Sequence, residues 1–426
     1  MPVALKFNFT PMSAIQDQDL AVYEAIEHEK VRETKGIELI PSENYVSAAV
    51  MEANGSIFTN KYSEGYPGRR YYGGNEYTDV IENLARDRAK ELFKCGHANV
   101  QPLSGSPMNQ AVYLGFLEPG DTILGMDLSH GGHLTHGHPV SHMGKIFNFV
   151  RYKTHPENEG KIDFDELMRV AKETKPKMVL CGYTSYPRDY DYADFKKIAD
   201  EVGALTMADI SHIGGLVAAG EMSNPFDYDF DIVTTTTHKT LRGPRGGMIL
   251  CKEEHAKTVD KSVFPGLQGG PHMNTISAVA VSLGEALKPE FKEYAKNVMS
   301  NAKVLAEKLM EHGAKLVTNG TSNHMMVMNT VESYGLDGTE AENLLDSVHI
   351  TVNKQVIPDD PNRPLRPSGI RLGTPAATTR GMGAVEMEKI ASWMHQALSN
   401  KEDKDLHEKI KKEVNEMCPQ FPVPGI

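Results

Sequence analysis

The sequence predicts an α/β protein: a large domain built on a mostly parallel mixed sheet, then a smaller α/β C-terminal domain. Three observations carry that expectation. Short apolar runs of strand length recur as TILGM (122–126), MVLCG (178–182), LTMA (205–208), IVTTT (232–236) and GMILC (247–251). Helical patterns such as 193–202 fall between several of them, and such alternation is what a parallel sheet with crossover helices requires. After the turn-rich FPGLQGGP (264–271), the texture turns almost wholly helical over 272–313, then mixes short strands and helices over 315–398. A boundary near 290 follows, giving an N-terminal arm and helix (1–35), a large domain (36–290) and a small domain (291–426).

Taken in order, residues 1–14 read as a loose arm. Residues 17–35 read as a helix, with Leu20, Tyr23, Ile26 and Val31 near helical spacing and Gly36 as its stop. A second helix spans 76–94, with Ile81, Leu84, Ala85, Ala89 and Leu92 on one stripe. The stretch 401–415 is a charged helix whose charge run reads as a solvated face.

With 426 residues, 40% hydrophobic and 24% charged, the chain has the composition of a globular protein with a sizeable core. No apolar run approaches a membrane span, and the N-terminus lacks a basic start followed by a long apolar stretch. The net charge of −12 argues against nonspecific nucleic-acid binding, while leaving room for a local cationic pocket. Cys95, Cys181, Cys251 and Cys418 are far apart and form no CxxC pair. Neither a zinc site nor a disulfide framework is expected, and a reducing cytoplasm is the simplest compartment.

Six segments carry chemistry. VTTTTHKTLRGPRGG (233–247) places Lys239 between a β-branched run and a glycine-rich turn, a setting that can hold and partly desolvate an imine-forming lysine. LTMADISHIGG (205–215) puts Asp209 at a strand end with His212 three residues on. A carboxylate there can keep a pyridine nitrogen protonated, as a pyridoxal phosphate site demands. In QPLSGSPMNQ (101–110), Ser104, Gly105 and Ser106 precede Pro107; serine as cap and proline at the first helical position offer free N–H groups to a phosphate. SHGGHLTHGHP (129–139) holds His130, His133, His136 and His138. Without an acidic or cysteine partner nearby, stacking on a ring suits one of them better than a metal does. NKYSEGYPGRRYYGGNEY (60–77) packs five tyrosines among glycines, with Glu64 as a candidate acid/base. PSGIRLGTP (367–375) offers Arg371 for a carboxylate by a two-pronged hydrogen bond. All but the histidine segment have a purely structural alternative: a surface lysine, a capping aspartate, a plain capped helix, a subunit-interface loop, a surface arginine. Together they make one complete pyridoxal phosphate site.

These residues resemble serine hydroxymethyltransferase. TTTTHKTLRGPRGG, NKYSEGYPGRRYYGG, SGSP, HGGHLTHG, ADISHIGGLVAAG and SGIRLGTP carry the likeness, which runs from about Ile37 to the last helix. The resemblance implies a fold type I pyridoxal phosphate enzyme. Such an enzyme interconverts L-serine plus tetrahydrofolate with glycine plus 5,10-methylenetetrahydrofolate through an aldimine. It implies that Lys239 holds the cofactor, Asp209 pairs with the ring nitrogen and His133 stacks on the ring. His212 and Thr184 would lie near the phenolic oxygen, and Gly105 and Ser106 would take the phosphate. Thr236, His238 and Arg245 would surround the lysine. Arg371, helped by Ser42, would bind the substrate carboxylate. Tyr62, Gly270, Glu64 and Tyr72 would reach in from the partner of a homodimer, or of a tetramer, with Glu64 shuttling protons. The pterin would pack near Leu128, Gly132 and Leu134, with Gln355 close by; no metal, nucleic acid or membrane is implied.

The chain departs from the family's pattern at Gln355, where TVNKQ replaces TVNKN, and at Thr184, where serine is frequent. Leu103 and Met108 also replace the family's usual residues. Two other functions fit less well. One is a folate-independent aldolase on threonine-like β-hydroxy amino acids, which the surviving pterin-side residues disfavour. The other is a non-catalytic cofactor-binding scaffold, which intact Lys239, Asp209 and Glu64 disfavour.

Overall fold

The computed structural model describes residues 14–155 and 158–426, so most of the expected arm lies outside the described residues. Seven strands, numbered here in chain order, form the main sheet: β1 (His97–Asn99), β2 (Thr122–Met126), β3 (Asn148–Tyr152), β4 (Met178–Gly182), β5 (Leu205–Asp209), β6 (Ile232–Thr236) and β7 (Gly247–Cys251). Their order is β1-β7-β6-β5-β4-β2-β3. The pairs β2–β3, β2–β4, β4–β5 and β5–β6 are parallel, and β7 runs antiparallel to both its neighbours. All five apolar runs are strands, and LTMA extends by one residue to Asp209. β1 and β3 escape the sequence reading because they are edge strands, one three residues long and the other largely exposed.

Local chemistry sets where these elements end. Asp191 caps the helix Tyr192–Val202 by accepting from the Asp194 N–H, and Gly203 stops it at φ +68°, its N–H returning to Ala199 and Asp200. The chain then re-enters the sheet as β5. The main sheet thus presents the carboxyl ends of β4, β5 and β6 side by side, where ligands of such sheets bind.

A second, antiparallel sheet contains β8 (Lys315–Leu316), β9 (Met325–Asn329), β10 (Asn353–Gln355) and β11 (Gly369–Gly373), in the order β8-β9-β11-β10. One apolar cluster packs on one face of the main sheet and a second on the second sheet, with a third on the main sheet's other face. Neither expected boundary is a clean cut. Ile37 and Leu39 belong to the second cluster, and Ile37–Glu38 pairs in parallel with Ile350–Thr351. The helix Pro289–Glu311 serves both, with Phe291, Tyr294, Ala295 and Val298 in the first cluster and Ala302, Leu305, Ala306 and Leu309 in the second. Each large side chain so buried contributes about 1.5–3 kcal/mol, so this helix ties the two bodies together.

Two helical stripes differ from expectation. The stretch 17–35 is two helices, Ala14–Gln18 and Leu20–Lys35, divided at Asp19, which caps the second. No residue of Leu20–Lys35 is buried, and Leu20, Ile26 and Val31 face solvent in the single chain. In Glu76–Phe93, Ala85 and Ala89 are buried but Leu84 is exposed, while Glu82 turns inward. The cause is polar: Arg70 donates to Glu82 at 2.7 Å and to Asp79 at 2.8 Å, and Gln101 donates to Glu82 at 2.9 Å. That buried pairing pins the tyrosine-rich loop to the helix.

Candidate active site

A cavity of about 320 Å³ lies at the carboxyl ends of β4–β6, closed on one side by Arg371 from β11. Twelve of the expected site residues line it: Ser42, Gly105, Ser106, His133, Thr184, Asp209, His212, Thr236, His238, Lys239, Arg245 and Arg371.

Asp209 is the last residue of β5, opposite Gly182 of β4 and Thr234 of β6. It caps no helix, since the next begins at Gly214. A Cβ on Gly182 would meet the Asp209 Cβ at 2.7 Å and the His136 ring at 2.9 Å, so glycine there lets the three approach. The carboxylate accepts from Asn109 Nδ2 at 2.8 Å, His136 Nε2 at 3.0 Å and the Ser211 N–H at 3.1 Å. Burial alone would push its pKa up. Hydrogen bonds from His136 and Ser211, with the electrostatic pull of the His136 and His133 rings, overcome burial and hold the carboxyl well below its usual range. The site therefore keeps an anion on the cavity wall, able to pair with a cationic group.

The histidine loop follows β2 as two short turns, Leu128–His130 and Leu134–His136. His136 Nδ1 accepts from the His133 N–H at 3.2 Å, which leaves its Nε2–H to donate to Asp209. His133 Nδ1 accepts from the Thr135 N–H at 3.2 Å. Burial, then His136, pushes the His133 pKa down to about 4, so a neutral ring faces the cavity.

Lys239 stands three residues past β6, its backbone held by Asn44 Nδ2 on its carbonyl at 2.9 Å. Burial pushes its pKa down to about 8, with Arg371 and Arg245 adding to the effect and Asp209 opposing it. A fraction of free amine is thereby available as a nucleophile near neutrality. The helix facing it runs Gly105–Phe116, starting two residues earlier than expected: Ser104 is the cap, and Gly105 and Ser106 are its first two helical residues. Their N–H groups have no partner within the helix. A Cβ at Gly105 would come within 2.9 Å of Thr236 Cγ2, so glycine keeps this end tight against β6. An anion fits here by dipole and donors together.

Arg371 lies opposite Asn353 in the second sheet. Its Nε donates to Asn353 Oδ1 at 3.1 Å, Nη1 to the Thr184 carbonyl at 2.5 Å and Nη2 to Ser42 Oγ at 3.5 Å. Burial pushes its pKa down to about 10. All its partners are neutral, so the half-buried charge faces the cavity unmatched.

The remaining expected residues do not line this cavity. Tyr62, Glu64, Tyr72 and Gly270 form their own cluster: Tyr62 OH donates to Glu64 Oε1 at 3.0 Å, the Tyr62 and Tyr72 rings meet edge-on at 4.9 Å, and a Cβ on Gly270 would sit 3.1 Å from the Tyr62 ring. Tyr62 and Tyr72 are about half exposed. Leu128, Gly132, Leu134 and Gln355 are also absent from the lining. Leu134 is exposed, and Gln355 Nε2 donates to the neighbouring Val356 carbonyl.

Several contributors escaped the sequence reading. Tyr183 and Ser211 line the cavity, as does Ser104 of the expected phosphate loop, while Asn109, His136 and His324 stand behind it. Of the missed residues only His136 had a local signal, as the second histidine of HLTHG. In the comparison with known families, the model described as serine hydroxymethyltransferase matches residues 15–394.

Proposed function

Because this chain belongs to the serine hydroxymethyltransferase family, whose members are fold type I pyridoxal phosphate-dependent hydroxymethyltransferases, we propose that it moves the hydroxymethyl carbon of L-serine to tetrahydrofolate. The products are glycine and 5,10-methylenetetrahydrofolate. The observation that carries this reading is the unmatched Arg371 guanidinium facing the same cavity as Lys239 and Asp209. A cation partly withdrawn from water without an anion is unfavourable, and an amino-acid carboxylate on its fork would relieve that cost.

The residues present fit the cofactor. Lys239 would be its covalent anchor, Asp209 would hold the proton of its ring nitrogen, the neutral His133 ring would cover its face, and the Gly105 and Ser106 N–H groups would take its phosphate. His212 and Thr184 would serve its phenolic oxygen, and Thr236, His238 and Arg245 shape the pocket around Lys239. Pyridoxal phosphate, when bound, supplies the electron sink for the charge left at the substrate Cα. Arg371 and Ser42 hold the substrate carboxylate, which fixes which bond at Cα faces the sink.

The proton of the serine hydroxyl needs a base within reach, and the cavity lining holds no carboxylate besides Asp209, which is committed to the ring nitrogen. Glu64, with Tyr62 and Tyr72 beside it, meets that need if a second subunit brings it in with Gly270. The exposure of that cluster supports a shared-site homodimer. The pterin would lie along Leu128, Gly132 and Leu134, with Gln355 to one side. Four free, buried cysteines suit a reducing compartment such as the cytoplasm. No helix among the described residues is long and apolar enough to cross a membrane.

Serine cleavage measured with and without tetrahydrofolate tests the reading. Glycine formation strongly stimulated by tetrahydrofolate is expected. Cleavage of threonine-like substrates with no folate response would replace it with the aldolase reading, and cofactor binding with neither activity would replace it with the scaffold.

A further inference from the structure

We infer that His324 is a positioning residue that holds His212 in one tautomer and one ring orientation, so that His212 Nε2 meets the cavity in a defined hydrogen-bonding form. The inference deepens the proposed function, since His212 matters only if this cavity is the active site.

His212 Nδ1 lies 3.3 Å from His324 Nε2, and the rings stack at 27° with centroids 5.5 Å apart. Both are enclosed, at 2% and 0% exposure. His212 lines the cavity and His324 does not. Burial, with Lys239 and Arg371, holds His212 well below the usual histidine range; burial, then Arg371 and Lys239, pushes His324 down to about 3. Two neutral rings facing nitrogen to nitrogen have one proton between them, so the tautomer of one dictates that of the other.

The contrast with the other cavity histidines is informative. His133 and His136 each take a backbone N–H on Nδ1, which sets their tautomers locally. His212 Nδ1 has only the His324 ring, and His324 Nδ1 is buried without a partner among the described residues. The two belong to different bodies: His212 follows β5, and His324 immediately precedes β9, its carbonyl accepting the Thr374 N–H at 3.1 Å. The form in which His212 addresses the cavity is thus set across the junction of the two sheets.

The test is NMR of isotope-labelled histidine ring nitrogens in the holoenzyme, with His212 assigned through a His212→Asn variant. One protonated and one bare nitrogen are expected for His212. His324→Phe, which keeps an aromatic ring but no nitrogen, should average those signals and lower kcat/KM for serine on the order of tenfold. His324→Gln, whose amide can donate or accept, should recover the single tautomer and most of the rate. Averaged His212 signals in the unsubstituted enzyme would overturn the inference without any variant, as would unchanged signals in His324→Phe. Because the spectrum is read independently of turnover, a locked His212 in a protein that does not cleave serine would sink the proposed reaction and leave this inference standing.

Discussion

The cavity at the strand ends and the tyrosine loop at 60–77 carry the two halves of the proposed site, and they are built in opposite ways. In the cavity, regular structure places Asp209 by the last step of β5, Arg371 by its pairing with Asn353, and the free N–H groups of Gly105 and Ser106 by the first turn of Gly105–Phe116. Burial then shifts the proton affinities of Lys239 and Arg371, and the neighbours of Asp209 shift its own against burial. The loop is anchored at its base by Arg70, yet its functional tips, Tyr62 and Tyr72, stand half in water. A cavity residue is therefore preorganised within one chain, whereas Glu64 gains its proposed role only through a second subunit. Substitutions should behave differently in the two halves.

The largest effect belongs to Lys239→Ala. Losing the covalent anchor should lower serine cleavage by a thousandfold or more, on the order expected for removing a nucleophile. Cofactor content after gel filtration should fall less, because Gly105 and Ser106 still hold the phosphate. A variant keeping a tenth of normal turnover would mean that another amine serves.

Asp209→Asn should lower turnover on the order of a hundredfold, since the amide cannot keep the ring nitrogen protonated. It should also alter stability in acid. The native carboxyl titrates well below its unfolded value of about 4, so it stabilises the fold above that pH and the benefit fades as pH falls through the lower native pKa. Denaturant melts should therefore show the gap between parent and variant closing in acid. A constant gap would remove Asp209 from the linkage. Arg371→Lys should act on binding: a point charge cannot reproduce the guanidinium fork, so KM for serine should rise about tenfold or more with a smaller change in kcat. Unchanged KM would mean that the carboxylate binds elsewhere.

The same contrast explains what was legible in the sequence. Strand-length apolar runs mark strand ends, and strand ends mark Asp209 and Lys239, so the cavity's charged residues could be read from local pattern. The first turn at Gly105 was misplaced by two residues because Pro107 resembles a helix start, while the backbone turns helical directly after the extended Ser104, whose side chain makes no capping bond. Asn109 and His136 were invisible as partners of Asp209, being 100 and 73 positions away in the chain. Leu84 misled the stripe of its helix because a buried Arg70–Glu82 pair outranks one leucine there. None of these contacts has a local periodicity to betray it.

The mildest and most discriminating experiment joins the two halves. If the loop serves a partner's cavity, a two-fold dimer holds two composite sites, each taking Lys239 from one chain and Glu64 from the other. Glu64→Gln and Lys239→Ala dimers are each expected to be inactive. In a mixed dimer, one site collects both lesions and the other collects neither. Random reassortment of equal amounts makes about half the dimers mixed, each with one intact site of two, so activity should return to about a quarter of the parent's. Each variant carried alone through the same exchange step is the control. If exchange is demonstrated and no activity returns, Glu64 serves the Lys239 of its own chain. The loop would then have to fold over its own cavity, and the difference between the two halves would be one of conformation, not of subunit.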